Sequence, residues 1–290
     1  MSPPARLSRR LVLAGAAALA ACGERRPKET DRPSAGKGSM TIAEAVAGAW
    51  RAPGDAARDR WRHPVESLTF WGLAPGQEVV EFWPGAGWYT DILAPYLAAN
   101  GGKLYAANLQ PADPPARQVV EIYREHLKAR PRLYGDVAIT EFGPTSGPVA
   151  PAGGADLVLF LRNIHNWMAA GLAEKAFRDA FAALRPGGAL GVEEHRGDPG
   201  GVQDPLAGDG YVQQAYVIQL ASEAGFTFDK ASEINANPRD DRNHPFGVWT
   251  LPPVRRSSPR GQPDDPAFDH AKYDAIGESD RMTLRFVKPA

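Results

Sequence analysis

Short apolar segments alternate with longer helical segments through most of the chain, and this alternation is the strongest constraint on its fold. A parallel sheet needs a helical crossover between successive strands, and its strands are apolar because both faces are covered. We therefore predict a doubly wound α/β domain with a seven-stranded, mostly parallel sheet. The predicted strands are 78–83, 103–108, 137–141, 156–161, 189–194, 226–233 and 282–287, and the main helices are 88–99, 114–129, 170–184 and 211–224.

Two further segments belong to the predicted domain, which spans 41–290. Thr41 and Glu44 have capping-box spacing at the start of a helical segment, and helices at 55–61 and 64–71 follow, the last ending at Gly72. These helices predict an N-terminal cap. Residues 235–281, just before the last strand, are rich in proline and polar side chains. A long loop inside a compact domain often covers a functional site, so we predict an ordered lid there.

The first 22 residues have the pattern of a bacterial export signal. Arg6, Arg9 and Arg10 precede an apolar stretch, 11–21, that ends at Cys22. This stretch is shorter than the roughly 20 residues that cross a bilayer. It resembles a lipoprotein signal peptide, after whose removal Cys22 is the lipidated first residue. The arginine pair also resembles a twin-arginine signal.

The composition of the following segment supports the same interpretation. Residues 23–40 are polar and rich in proline, glycine, lysine and arginine, which predicts a flexible tether. Cys22 is the only cysteine in the chain, so it has no disulfide partner within it. We predict a protein on the periplasmic side of a bacterial membrane, lipid-anchored through Cys22. The alternative is an apolar N-terminus on a cytoplasmic enzyme.

The overall charge disfavours one class of partner. The formal net charge is −1 and the pI is near 6.6. A surface that attracts nucleic acid is usually strongly basic. We therefore expect a small-molecule substrate and no nucleic acid.

The turn after the first predicted strand carries the strongest functional signal. It runs Glu81-Phe82-Trp83-Pro84-Gly85-Ala86-Gly87 and leads into the helix at 88–99. Open α/β sheets bind ligands here, where strand carboxyl ends and a helix N-terminus converge. Glycine lets the backbone approach a ligand closely. The turn therefore predicts a binding site, and close packing of strand against helix is the alternative.

Several longer motifs lie between about residue 58 and residue 289. They are Phe82-Trp83-Pro84-Gly85 with Gly87-Trp88-Tyr89-Thr90, Asn163-Ile164-His165-Asn166-Trp167, Ser232-Glu233-Ile234-Asn235-Ala236-Asn237-Pro238, Gly247-Val248-Trp249-Thr250-Leu251-Pro252-Pro253 and Gly277-Glu278-Ser279-Asp280-Arg281-Met282-Thr283. Over this span the chain resembles a family of predicted bacterial exported methyltransferases of class I, which depend on S-adenosylmethionine. This resemblance implies a Rossmann-like fold with S-adenosylmethionine as cofactor.

The resemblance also implies which residues hold the cofactor. Members of this fold family carry an acid-x-Gly-x-Gly-x-Gly pattern, in which Glu81, Gly85 and Gly87 match and Trp83 replaces the first glycine. An acid usually grips the ribose hydroxyls at the end of the second strand, and Asn108 occupies that place. The implied cofactor-binding residues are Glu81, Trp83, Pro84, Gly85, Ala86, Gly87, Asn108 and Asn163.

Three histidines are the candidate catalytic residues. His165 follows the fourth strand and His195 ends the fifth, so both should lie at the same sheet edge, beside the glycine turn. We predict that they face one pocket and that the insertion covers it, bringing His244 or Trp249 near. Methyl transfer needs alignment of donor and acceptor and, for some acceptors, a base. The alternative for His165 is a histidine that only ties down its loop.

Two adjacent acids lie beside these histidines. Side chains alternate along a strand, so Glu193 and Glu194 should point to opposite faces. His165, Glu194, His195 and His244 could in principle form a metal site, but they lack ligand spacing on one helix or hairpin. We therefore predict no metal site, and polar residues that line a pocket through hydrogen bonds.

The sequence predicts an S-adenosylmethionine-dependent methyltransferase acting on an unidentified small molecule. The alternative is an exported binding lipoprotein that keeps the fold without catalysis. Trp83, Asn108 and the cytosolic origin of S-adenosylmethionine favour that alternative. A metal-assisted hydrolase is a third possibility. Cofactor titration and metal analysis would separate the three.

Overall fold

The computed structural model describes residues 39–290. The predicted signal peptide, Cys22 and the tether up to residue 38 lie outside this range. Among the described residues, no helix combines the length and apolarity that a membrane crossing requires.

Four short helices form the N-terminal cap. They are α1 (Ile42–Val46), α2 (Pro53–Ala56), α3 (Asp59–Arg62) and α4 (Pro64–Trp71). The predicted capping box is present, since Thr41 Oγ1 accepts from the backbone of Glu44 while the Glu44 carboxylate accepts from the backbone of Thr41. Helix α4 ends at Gly72 in the left-handed region, φ 89°, as its glycine predicts. The predicted helix at 55–61 is wrong as one element, because the chain forms α2 and α3 there.

The seven strands form one sheet. They are β1 (Glu78–Phe82), β2 (Lys103–Leu109), β3 (Val137–Phe142), β4 (Ala155–Leu161), β5 (Leu184–His195), β6 (Thr227–Ser232) and β7 (Arg281–Val287). Their order is β3-β2-β1-β4-β5-β7-β6, with β7 antiparallel to both of its neighbours and the other pairings parallel. The predicted seven-stranded, mostly parallel sheet is therefore confirmed, with strand bounds differing mainly at β5.

Within residues 39–290, seven further α-helices cover the sheet or belong to the insertion. They are α5 (Thr90–Ala99), α6 (Pro114–Lys128), α7 (Pro131–Tyr134), α8 (Ile164–Ala169), α9 (Ala173–Ala183), α10 (Gln214–Glu223) and α11 (Ala271–Ile276). The sequence did not predict α7, α8 or α11. Each is a single turn or little more, too short to show helical periodicity in the sequence.

Each face of the sheet has its own apolar core. Alternate residues of β1 show this division, because Val79 belongs to the core that includes residues of α1, α4, α5 and α6. Val80 belongs to the other core, which includes residues of α8, α9 and α10. Strands β1 and β4 are neighbours in the middle of the sheet, and the strand order reverses between them. From β1 the chain continues outwards to β2 and β3, and from β4 it continues outwards in the opposite direction. The carboxyl ends of these strands therefore open a crevice at that point, where α/β sheets bind ligands.

Candidate active site

The turn after β1 combines left-handed backbone with open space. Trp83 (φ 44°), Gly85 (φ 60°) and Gly87 (φ 91°) all have positive φ, which is unfavourable for a residue with a side chain. A Cβ atom placed on Gly85 would meet no other atom within 4 Å. Gly85 and Ala86 are exposed, whereas Pro84 is buried and its carbonyl accepts from Gly87 N at 3.0 Å. The turn therefore presents the backbone of Gly85 to a possible ligand.

Glu81 lies beneath this turn and not on its surface. The residue is 2% exposed, and its Oε2 accepts a 2.6 Å hydrogen bond from Thr90 Oγ1 at the start of α5. Burial raises the pKa of Glu81 to about 7, although the Thr90 hydroxyl opposes that shift. Its carboxyl group therefore fixes the turn to the following helix.

Trp83 reaches across the end of β2. Its backbone N–H bonds to Ala107 O of β2 at 2.8 Å, while its indole Nε1 donates to Phe142 O of β3 at 3.0 Å. Since β2 lies between β1 and β3, the indole must pass over the carboxyl end of β2. The ring also packs edge-on against Trp167, with centroids 5.9 Å apart. Trp83 thus covers the place where the cofactor was predicted.

The two asparagines predicted to bind the cofactor, Asn108 and Asn163, differ in the hydrogen bonds that their side chains make. Asn108 is 1% exposed, and its Oδ1 accepts from Leu109 N, but among the described residues its Nδ2 has no hydrogen-bond partner. Asn163 Nδ2 is close to the carbonyl oxygens of Phe82, Trp83 and Leu161, at 3.3, 3.1 and 3.3 Å. Asn163 therefore ties the ends of β1 and β4 together, and Asn108 retains an unused donor.

A cavity of about 270 Å³ lies beside the turn, past the ends of β4 and β5. Helix α3 and the residue before it, the β4–α8 segment, the end of β5 and the insertion all contribute to its wall. The lining residues are Arg58, Arg62, Arg162, His165, Asn166, His195, Val248, Trp249, Pro252, Pro253, Val254, Glu278 and Ser279. We call this cavity the arginine–histidine pocket.

His165 and His195 come together in this pocket, as the topology predicts. Their ring centroids are 5.2 Å apart, and the ring of Trp249 from the insertion lies 5.9 Å from that of His165. His165 Nδ1 lies 2.9 Å from Glu194 Oε1. With Nδ1 donating to this carboxylate, neutral His165 keeps the lone pair of Nε2 available as a proton acceptor.

His195 has a different environment. Its Nδ1 lies 2.5 Å from Ser279 Oγ. Burial, reinforced by His165 and then Arg281, holds the pKa of His195 well below its ordinary value. His195 is therefore neutral at physiological pH.

Around the pocket, four arginines form ion pairs with two buried glutamates. Glu278 pairs with Arg58 at 2.6 Å, Arg62 at 3.2 Å and Arg281 at 2.8 Å. Glu193 lies 2.9 Å from Arg162 and 3.3 Å from Arg281. Burial alone would raise the pKa of both acids, but the guanidinium groups outweigh it and lower each.

Glu193 and Glu194 point to opposite sides, as strand alternation predicts. Glu193 accepts from Tyr89 Oη of the glycine turn at 3.1 Å. Glu194 instead contacts His165 and the first backbone N–H groups of α8. Glu193 therefore connects the pocket to the segment after the glycine turn, and Glu194 orients His165, the candidate base.

The prediction that His244 could join the other histidines requires a correction. His244 Nε2 lies 2.7 Å from Asp240 Oδ1, and Tyr211 also donates to Asp240 at 2.9 Å. Tyr211 separates the two groups, since its ring lies 6.5 Å from that of His195 and 6.4 Å from that of His244. The insertion folds so that Trp249 reaches the pocket and His244 does not.

His165, Glu194 and His195 have ligand atoms within 4.8 Å of one another, the spacing of a possible metal site. Glu194, however, accepts from Ile164 N at 2.6 Å, His165 N at 3.4 Å, His165 Nδ1 at 2.9 Å and His195 N at 2.9 Å. Its oxygens are therefore already used. The adjacent Arg162 guanidinium also repels a cation. This geometry suits a positioning carboxylate better than a metal ligand.

Arg58 and Arg62 were not among the residues predicted for the site. Their i, i+4 spacing places them on one side of a helical segment, which is a weak signal for a shared surface. Their partner Glu278 lies 220 and 216 residues away in sequence. No local pattern could have indicated that contact.

No protein-family model matches the chain, and no curated protein matches it. Solved structures match its fold. The 4+2 cyclase SpnF has 15% identity and a TM-score of 0.53, over 86% of this chain and 92% of that one. A methyltransferase component of an activator complex from Haloferax volcanii has 14% identity and a TM-score of 0.51, over 86% and 97%. A protein described as a sarcosine dimethylglycine methyltransferase from Galdieria sulphuraria has 12% identity and a TM-score of 0.51, over 81% and 86%.

These identities are low, so the likeness concerns the fold. It identifies the class I methyltransferase fold, in agreement with the strand order and the antiparallel β7. The SpnF match also indicates that a cyclase shares this architecture.

Proposed function

We propose that the protein is an S-adenosylmethionine-dependent methyltransferase whose acceptor is a small molecule bound in the arginine–histidine pocket. One observation carries the proposal. Tyr89, next to the glycine turn, bonds to Glu193, and Glu193 pairs with Arg162 in the pocket wall. The predicted donor site and the pocket are therefore neighbours at one sheet edge.

The residues around the turn are compatible with the cofactor. The open space at Gly85 and the unused Nδ2 of Asn108 could accept a ligand, with the Gly85 backbone along the methionine part and Asn108 at the ribose. A ligand that occupies the carboxyl end of β2 requires the Trp83 indole to turn away from Phe142. The cofactor supplies a methyl group activated by a sulfonium.

The protein's own residues would then act on the acceptor. Glu194 orients His165, and the Nε2 lone pair of His165 removes a proton from the acceptor. Trp249, from the insertion, packs near the same ring and limits access of water. Neutral His195 accepts or donates a hydrogen bond that fixes the acceptor.

We also propose that the protein is exported and anchored through Cys22 on the periplasmic side. This proposal rests on the arginine-rich start, the apolar stretch and the single cysteine. Cys22 lies outside the described residues.

Calorimetric titration of the full chain with S-adenosylmethionine and its demethylated product tests the activity. Gly85→Val should weaken binding at least tenfold, about 1.4 kcal/mol, because the added side chain enters the ligand's space. Gly76→Val is the matched control, since Gly76 also has positive φ (76°) and open surroundings but lies before β1. Both variants have backbone strain, whereas only the first should lose affinity. If the wild-type chain does not bind S-adenosylmethionine, the methyltransferase proposal is overturned. The alternative, a protein that binds another ligand without catalysis, then remains.

A further inference from the structure

The wall of the arginine–histidine pocket contains guanidinium groups that the protein satisfies only in part. Arg58 and Arg62 each donate Nε to Glu278, and within residues 39–290 their terminal nitrogens have no hydrogen-bond acceptor. Arg162 pairs with Glu193 Oε1 through Nη1 at 2.9 Å, and its other two guanidinium nitrogens have no hydrogen-bond acceptor within the same residues. Several strong donors therefore remain available at one place.

The local charges are also unbalanced. Among the described residues, Arg58, Arg62 and Arg162 line the pocket with Glu278 as the one lining carboxylate, and Arg281 pairs with Glu193 next to them. Glu194 carries a further negative charge, but it is engaged with His165 and α8. Burial, and next the charge of Arg162, lowers the pKa of Arg62 well below its ordinary value. These cations repel one another in a poorly solvated site, and an anion between them would relieve that repulsion.

The opposite wall is apolar. Trp249 and the prolines Pro252 and Pro253 face the cavity, and the His165 ring lies close to Trp249. A volume of about 270 Å³ is slightly below the range of typical ligand pockets, which begins at about 300 Å³. It therefore suits a molecule with one oxyanion and a compact, planar or apolar body.

We propose that the acceptor molecule carries a carboxylate or phosphate group, which binds between Arg58, Arg62 and Arg162 while its body packs against Trp249 beside His165. The assignment of this ligand as the methyl acceptor rests on the proposed function. The anion site itself rests on the pocket's own geometry. Guanidinium groups suit both oxyanions because their paired N–H groups match two oxygens.

Calorimetry with benzoate, phenyl phosphate and neutral benzamide tests the proposal on the full chain. At least one of the two anions should bind, and benzamide should bind at least tenfold more weakly. Arg58→Gln should weaken anion binding about tenfold, and added NaCl should weaken it further. Arg58 is partly exposed, so this variant should fold, which thermal unfolding would verify.

Arg60→Gln is the matched control. Arg60 lies in α3, two residues after Arg58, is exposed and does not line the pocket, so its replacement should leave affinity unchanged. Preferential binding of benzoate or of phenyl phosphate would assign a carboxylate or a phosphate respectively. The proposal is overturned by failure of both anions to bind, by equal binding of benzamide, or by equal affinities in the Arg58 and Arg60 variants.

The two proposals can fail separately. Binding of the anions without any binding of S-adenosylmethionine would refute the methyltransferase and leave the anion site. Binding of S-adenosylmethionine without the anions would refute only the substrate class.

Discussion

Trp83 and Phe142 are joined by a 3.0 Å hydrogen bond from the indole nitrogen to the backbone oxygen, across the end of the strand that separates them. The bond holds the indole across the carboxyl end of β2. A ligand that binds at that end must displace the indole and break this bond, which costs about 1 kcal/mol for a typical hydrogen bond.

Trp83→Phe removes the indole N–H but keeps an aromatic ring. We expect the affinity for S-adenosylmethionine to rise roughly fivefold in calorimetry, since about 1 kcal/mol no longer opposes binding. Trp50→Phe is the control, because Trp50 Nε1 also donates to a backbone oxygen, that of Asp91 in α5. A lower affinity in Trp83→Phe alone would mean that the indole itself holds the cofactor.

Glu81→Gln should change how stability depends on pH. Burial raises the pKa of Glu81 from 4.5 to about 7, so the folded state retains a proton that the unfolded chain releases. This contribution to stability is fully present below pH 4.5 and is lost as the pH rises towards about 7. Glutamine resembles the protonated acid. The free energy of unfolding of the variant, relative to that of the wild type, should therefore rise by up to about 3 kcal/mol between pH 4.5 and pH 8.

Urea unfolding at several pH values measures this difference. Glu141→Gln, at an exposed position of β3, should change the free energy of unfolding by less than about 0.5 kcal/mol. A parallel pH dependence in wild type and Glu81→Gln would contradict the prediction, because it would show that Glu81 has the same pKa in the folded and unfolded chain.

His165→Asn should lower kcat for methyl transfer by roughly 10² to 10⁴, the usual contribution of a general base. Glu194→Gln should have a smaller effect, because His165 remains but loses its orienting carboxylate. Transfer of labelled methyl groups to a pool of candidate acceptors measures both. His270→Asn, outside the pocket, is the control. A decrease below about tenfold in His165→Asn would assign His165 a structural role.

Cys22→Ser should release the protein from membranes. Acyl chains contribute about 0.8 kcal/mol per buried methylene, and stable anchoring takes two membrane-binding signals, such as two chains. Cell fractionation and incorporation of labelled fatty acid measure the effect. Unchanged membrane association and lipid label in the variant would contradict the proposed anchor.

The sequence predicts the sheet well because each strand is a short apolar segment with helical signals around it. It also predicts that His165 and His195 meet, since they follow the neighbouring strands β4 and β5. These conclusions need only topology. They do not depend on the conformation of an individual side chain.

Other features depend on contacts that no local pattern encodes. The direction of the Trp83 indole follows from a hydrogen bond to a strand 59 residues away. The position of His244 depends on how an irregular insertion folds, and Asp240, four residues before it, is the partner that holds it. Arg58 becomes part of the site only through Glu278.

The antiparallel direction of β7 brings its first residue, Arg281, to the edge where the parallel strands end. Glu278 and Ser279, just before β7, therefore meet Arg58 and His195. During translation the glycine turn and both pocket histidines emerge long before these last partners. A nascent chain can therefore form much of its core first, while the pocket is completed only when the segment around Arg281 has been synthesised and docked.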